Sequence, residues 1–301
     1  MKDLLKYAPV EWRKRDEFCI PRSPFSSVAN KDSILLGGSR LSFLAPVHRP
    51  KHSNLKQTQI PKKYDVLEAR SAGLRVDLSM PNEHWGAMCL LSRAWAFYGP
   101  WMTGCKGELF FSVAIVERFK EHSFNTASFF NPLAFEAVLV NYLNDRYGSE
   151  NWGGNLSHVP RHHGPVHWKS ISHFPVPCAS FKIFNRGEDP NNLALPDNLI
   201  VFPISDRHFV EVCFVHEYYS RDEHGTIAID TAPMQELQDR VVKNIELKLS
   251  PDVQSRVDKV KSEVGSLQMC KNFAPLKWPT NIYPPEAGNS PEARQALRND
   301  A

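Results

Sequence analysis

The sequence predicts an α+β fold: an antiparallel sheet arranged as a meander, helices packed on one face of it, and irregular arms at both ends. Three observations lead there. Runs with a strand's apolar pattern follow one another between residues 178 and 230, helical patterns stand apart at 131–148 and 231–265, and both chain ends mix proline, polar and charged residues without either period. With 301 residues, 42% of them hydrophobic, there is material for a large core. Periodicity places it at 70–265, between a basic, largely irregular arm at 1–69 and a proline-rich segment at 266–301.

The first strand-like stretch is "AGLRVDLSM" (72–80), where Leu74, Val76, Leu78 and Met80 alternate with polar residues. "GELFFSVAIVERF" (107–119) is apolar on both faces and reads as a central strand. Trp85, Trp95, Phe97, Tyr98 and Trp101 crowd the stretch between them, and Gly99 and Pro100 make "YGPW" a turn. A helix is expected over "NPLAFEAVLVNYLNDRYG" (131–148). Asn131 suits its N-cap and Pro132 its first position, while Phe135, Val138, Leu139, Tyr142 and Leu143 form one apolar stripe.

The meander is read from "CASFKIFNR" (178–186), "NLIVFPI" (198–204), "HFVEVCFVHEYYS" (208–220) and "TIAID" (226–230), the second and third close enough for a hairpin. Two helices are expected next, over 231–250 and 251–265, with Ser250 and Pro251 marking the junction. In the last segment Phe273, Leu276, Trp278, Ile282 and Tyr283 would gain nothing from a free tail, so the chain is expected to run along the body to about residue 285.

Charge is uneven. Residues 1–63 carry 13 Lys or Arg against 5 Asp or Glu, and the remainder carries 23 against 28. A basic arm can bind nucleic acid or an anionic surface, but Phe43 is the only aromatic residue between 26 and 63, which leaves no platform for stacking bases. The plainer expectation is a solvated arm lying on its own acidic remainder. No spanning apolar run and no signal-like start is seen, and Cys19, Cys89, Cys105, Cys178, Cys213 and Cys270 are scattered singly, so the expected location is the cytoplasm. As a nucleophile, Cys213 would need a nearby base and a positive setting, and in "FVEVCFV" it reads as a buried hydrophobe.

"SHVPRHHGPVHWKSISH" (157–173) looks most like chemistry. His158, His162, His163 and His167 are the candidates for a metal, but Pro160, Gly164 and Pro165 prevent a shared helical face. No Asp or Glu occurs from 151 to 187, where a hydrolytic centre would recruit its base. The expectation is a solvent-facing loop whose Arg161, His162, His163 and His167 meet an acidic surface.

Other catalytic patterns fail. There is no G-x-S-x-G elbow, no phosphate loop and no dinucleotide turn; "LLGGSR" (35–40) pairs two glycines without the flanking strand and helix. Glu211 and Glu217 lie six residues apart on one strand, nearly 20 Å, too far for direct cooperation. No cofactor is expected. What remains is a non-enzymatic binder using Trp95, Tyr98, Trp101 and the histidine loop against another protein, in the manner of an inhibitor or immunity protein that neutralises a toxin enzyme with an acidic surface. Two alternatives stay open: a metal-assisted hydrolase built on His158–His173, and a nucleic-acid or anionic-surface binder using the N-terminal arm.

Overall fold

A computed structural model of the chain describes residues 18–24, 29–54, 57–59, 65–67, 75–76, 84–100, 103–119, 128–148, 161–185, 195–222 and 226–276. In chain order the strands are β1 (Ala29–Leu36), β2 (Ser39–Pro46), β3 (Thr58–Gln59), β4 (Arg75–Val76), β5 (Trp85–Tyr98) and β6 (Cys105–Arg118). Helix α1 (Pro132–Leu143) follows and ends in a π-helical turn, Asn144–Gly148. Then come β7 (His162–Ser170), β8 (Ala179–Asn185), β9 (Leu195–Pro203), β10 (His208–Tyr218), α2 (Ala232–Lys243), β11 (Glu246–Lys248) and α3 (Pro251–Val264).

The expected α+β meander forms. An eight-stranded sheet runs β3-β5-β6-β10-β9-β8-β7, with β4 also on β5, and a second, three-stranded sheet runs β1-β2-β11; every pairing between these strands is antiparallel. Strand alternation splits the core between the large sheet's two faces. Phe111, Val113, Ile200, Phe202, Val210 and Phe214 point to one side, against the small sheet, α2 and α3. Val116, Phe181, Leu199, Val201 and Phe209 point to the other, against α1. The expected placement of all helices on one face is therefore corrected: α1 and the pair α2, α3 cover opposite faces. Both rows of β6 and β10 are largely apolar, so each face requires a cover.

Local chemistry explains the elements that were foreseen. Asn131 Oδ1 accepts the Leu133 and Ala134 amides at 3.1 and 3.3 Å, and Pro132 opens α1. Ser250 Oγ accepts the Val253 amide ahead of Pro251 in α3. Phe209 lies among Trp85, Phe129, Phe135 and Tyr142 at ring-centroid distances of 5.0 to 6.4 Å, which fastens α1 to the sheet.

The expectation of an irregular N-terminal arm fails for 29–46, while 47–54 carries no strand or helix beyond an isolated bridge at Arg49. Gly37 and Gly38, at φ 61° and 74°, supply the two left-handed residues a tight hairpin turn needs, and β1 and β2 bury Leu36, Leu41, Phe43 and Ala45. The Gly37 and Gly38 amides are both taken by the Asp65 carboxylate, at 2.7 Å each, so "LLGGSR" presents no anion cradle. Arg93 on β5 ties this hairpin to the large sheet, meeting Asp32 at 2.5 Å and the carbonyls of Ala45 and Pro46.

Short pieces of chain on either side of this hairpin, from Arg22 to Val76, cover the other edge of β5. β4, β3, Arg49 and Arg22 pair along it in turn, at Ala87, Ser92, Trp95 and Tyr98. An exposed edge is a template for aggregation, and these short pieces occupy it.

Two further expectations change. "TIAID" contributes only isolated bridges at Ile227 and Ile229, and the helix expected to reach 250 stops at Lys243, because Glu246–Lys248 pairs with β2 at Ser42–Arg40. Most of 72–80 lies outside the described residues, which keep only β4. Met269 is buried, and Phe273 stacks on Trp168 at 4.6 Å, so 269–276 lies against β7.

Candidate functional site

The sequence-derived candidates separate into three places. Trp95 belongs to the core: it is 0% exposed, stacks on Phe111 at 5.8 Å, and its indole N–H donates to the carbonyls of Pro46 and Val47. It is corrected from contact residue to structural residue, because β5 turns it inward beneath β2. Tyr98 ends the same strand and is 38% exposed; Trp101 lies outside the described residues.

Around Tyr98 several large apolar side chains are exposed, with Arg49 and Glu108 close enough to act on its hydroxyl. Residues 18–21 alternate between exposed and buried, so Phe18 and Ile20 project outward on the way to Arg22, whose backbone pairs with Tyr98. Cys105 pairs with Tyr98 on the other side, and exposed Tyr219 follows, its amide on the Lys106 carbonyl. His52 meets the Tyr219 ring edge-on at 5.3 Å. Nearby, Glu108 accepts the amides of Lys51, His52 and Ser53 together with the Tyr219 hydroxyl. Burial pushes the Glu108 carboxyl up, but these donors outweigh it and hold the pKa below the usual value.

His162, His163 and His167 sit on a strand, where a loop was expected. β7 is an edge of the large sheet, and its pairing with β8 slips around Val166, which is how an edge strand accommodates Gly164 and Pro165. Alternation turns His162 inward, its ring 4.9 Å from that of Tyr147, and sends His163 and His167 to solvent. Arg161 reaches Asn185 at 3.4 Å, and His158 lies outside the described residues. Among the described residues no three His, Cys, Asp or Glu side chains converge as metal ligands would.

The third place has no counterpart in the sequence motifs. The π-helical turn at the end of α1 carries Arg146 over the sheet; such turns recur at functional sites. Arg146 Nη1 donates to both oxygens of Glu211 at 2.5 and 2.6 Å and to the Tyr142 hydroxyl at 2.7 Å. Tyr142 in turn donates to Glu211 at 2.9 Å, closing a triangle. Burial alone would weaken the Arg146 charge, but Glu211, together with Tyr142 and Tyr147, more than offsets it and holds the guanidinium protonated.

Asp197 on β9 faces the same cluster, and among the described residues no hydrogen bond or ion pair reaches its carboxylate. Burial raises its pKa to about 6, Arg146 opposing and Glu211 adding to the rise. Cys213 shares the face, and burial, then Asp197 and Glu211, push its thiol well above 9, so it offers no thiolate nucleophile at neutral pH. His216 is a satisfied core histidine, with Nε2 at 2.6 Å from Gln238 and Nδ1 at 3.1 Å from Tyr218.

A stability test follows from Asp197. Its folded pKa lies above the unfolded value, so the folded state holds the proton more tightly, and stability falls as pH rises from about 4 to 6. Asp197→Asn removes a charge that costs at most about 3 kcal/mol at neutral pH, part of which the buried amide takes back. The variant is expected to melt higher than wild type at pH 7.5 and to show no gain at pH 4. A lower melting temperature at pH 7.5 would mean that the carboxylate has a stabilising partner.

No helix among the described residues is long and apolar enough to cross a membrane. No protein-family model, curated protein or solved structure matches the chain.

Proposed function

We propose that the protein is a non-enzymatic binding protein whose contact surface is the outer end of β5 and β6, centred on Tyr98 and flanked by Ile20, Phe18 and Tyr219. The observation that carries this reading is the gathering of large apolar side chains, 38% to 65% exposed, on segments fixed to one another by backbone pairing. Ordered aromatic side chains on a rigid sheet end bind at small entropic cost, and tyrosine is among the residues that most often anchor interfaces. The partner is a protein, and the role is that of an inhibitor or immunity protein acting against a toxin enzyme. Six separate free cysteines support work in a reducing compartment such as the cytoplasm.

Affinity capture from the source cell with wild type and with an Ile20→Asp, Tyr98→Asp variant tests it. A protein retained by wild type and lost with the variant, at unchanged melting temperature, is the expected result. Equal retention by both, or nucleic acid as the only species recovered, would move function away from this surface.

A further inference from the structure

Among the described residues, the sheet face beneath α1 is not covered along its whole length. Past Glu211, the residues of β6, β10 and β9 that share this face are Ser112 and Phe110, Cys213 and Val215, and Asp197, all part-exposed. Their neighbours that point to the opposite face, Phe111, Val113, Val212 and Phe214, are buried. Register aligns the part-exposed residues: Val215 lies opposite Phe110 on one side and Asp197 on the other, and Cys213 lies opposite Ser112. A shelf two strand spacings wide, about 10 Å, therefore runs from an aromatic ring across a valine to a carboxylate.

The two carboxylates nearest this shelf are unequally matched. Glu211 is matched by Arg146, whose guanidinium is committed to Glu211 and Tyr142. Asp197 has no such match among the described residues. On the next rung Glu217 lies opposite Glu108, two carboxylates already held by the Tyr219 hydroxyl and, at Glu108, the amides of Lys51, His52 and Ser53. A charged carboxylate partly withdrawn from water without a hydrogen-bonding partner costs free energy, which a bound cation would recover.

We propose that this shelf binds an organic amine, with the ammonium on the Asp197 carboxylate and the apolar body across Val215 and Phe110. A cation is required because the unmatched charge is negative, and an apolar body because the floor beyond Asp197 offers Val215, Cys213 and the Phe110 ring. The shelf adjoins the Tyr219 side of the surface around Tyr98 through Glu108 and Glu217, but it does not rest on that reading, because its test needs no partner protein.

The full chain is titrated with n-hexylamine, whose chain roughly covers the shelf's width, and with 1-hexanol, the same body without the charge, by isothermal titration calorimetry. Saturable one-to-one binding of hexylamine is expected, at least tenfold tighter than that of hexanol. Asp197→Asn is expected to weaken hexylamine at least tenfold and leave hexanol unchanged, and Val215→Asn to weaken both while Asp197 stays in place. Melting temperatures of both variants establish that they fold. No saturable binding of hexylamine to wild type, or equal affinity in Asp197→Asn, overturns the proposal; so does equal binding of hexanol and hexylamine.

Discussion

Trp95→Ala is expected to cost about 3 to 5 kcal/mol of stability, the range for emptying a buried tryptophan site. The ring is sealed between Phe111 and the β2 backbone, and the cavity would open inside a stack in which Phe111 also meets Phe43 at 5.4 Å and Phe214 at 4.9 Å. Losing the indole N–H also leaves the Pro46 and Val47 carbonyls without that donor. Urea unfolding measures the loss. A cost below about 1 kcal/mol would mean that Trp95 is not packed as described and would return it to the list of contact residues.

Asp32→Ala is expected to be comparably severe, about 3 to 5 kcal/mol, because it strands the Arg93 charge rather than removing a pair. Both side chains are almost fully buried, at 3% and 6% exposure, and they join β1 to β5. Replacing both at once, Asp32→Leu with Arg93→Met, is expected to recover much of the loss, since a buried pair contributes less than a buried unpaired charge costs. If 29–46 were a dispensable arm, Asp32→Ala would barely shift the unfolding midpoint. The two single variants therefore test whether the N-terminal hairpin belongs to the body.

The sequence made some of this legible and hid the rest for physical reasons. β6, β9 and β10 stand out because burial on both faces produces long apolar runs, and α1 because Asn131 and Pro132 announce its start. β1 and β2 carry a hairpin signal, with Ile34 and Leu36 before Gly37-Gly38 and Leu41, Phe43 and Ala45 after it, but Lys31, Arg40 and Arg49 give the region the profile of a solvated arm. β5 was obscured by its aromatic residues, which read equally as surface or core until a neighbouring strand decides. β7 contains Gly164 and Pro165, which argue against a strand and are tolerated only at an edge.

The polar cluster was illegible for a different reason. Glu211 and Arg146 are 65 residues apart, and neither lies in a motif; only the fold brings the end of α1 over β10. In "LPDNLIVFP" the Asp-Asn pair reads as turn punctuation, yet pairing with β8 and β10 makes Asp197 a strand residue facing Arg146. Spacing along the strand did give one correct limit. Glu211 and Glu217 share a face but belong to separate networks, with Arg146 and Tyr142 at one and Tyr219 at the other.

Binding through the outer end of β5 and β6 is tested most directly by titrating the captured partner into wild type and Tyr98→Ala, with melting temperatures taken on the same preparations. Removing an anchoring tyrosine is expected to weaken binding by about 2 kcal/mol or more, roughly thirtyfold, with the melting temperature unchanged. Unchanged affinity in a folded Tyr98→Ala variant would contradict it.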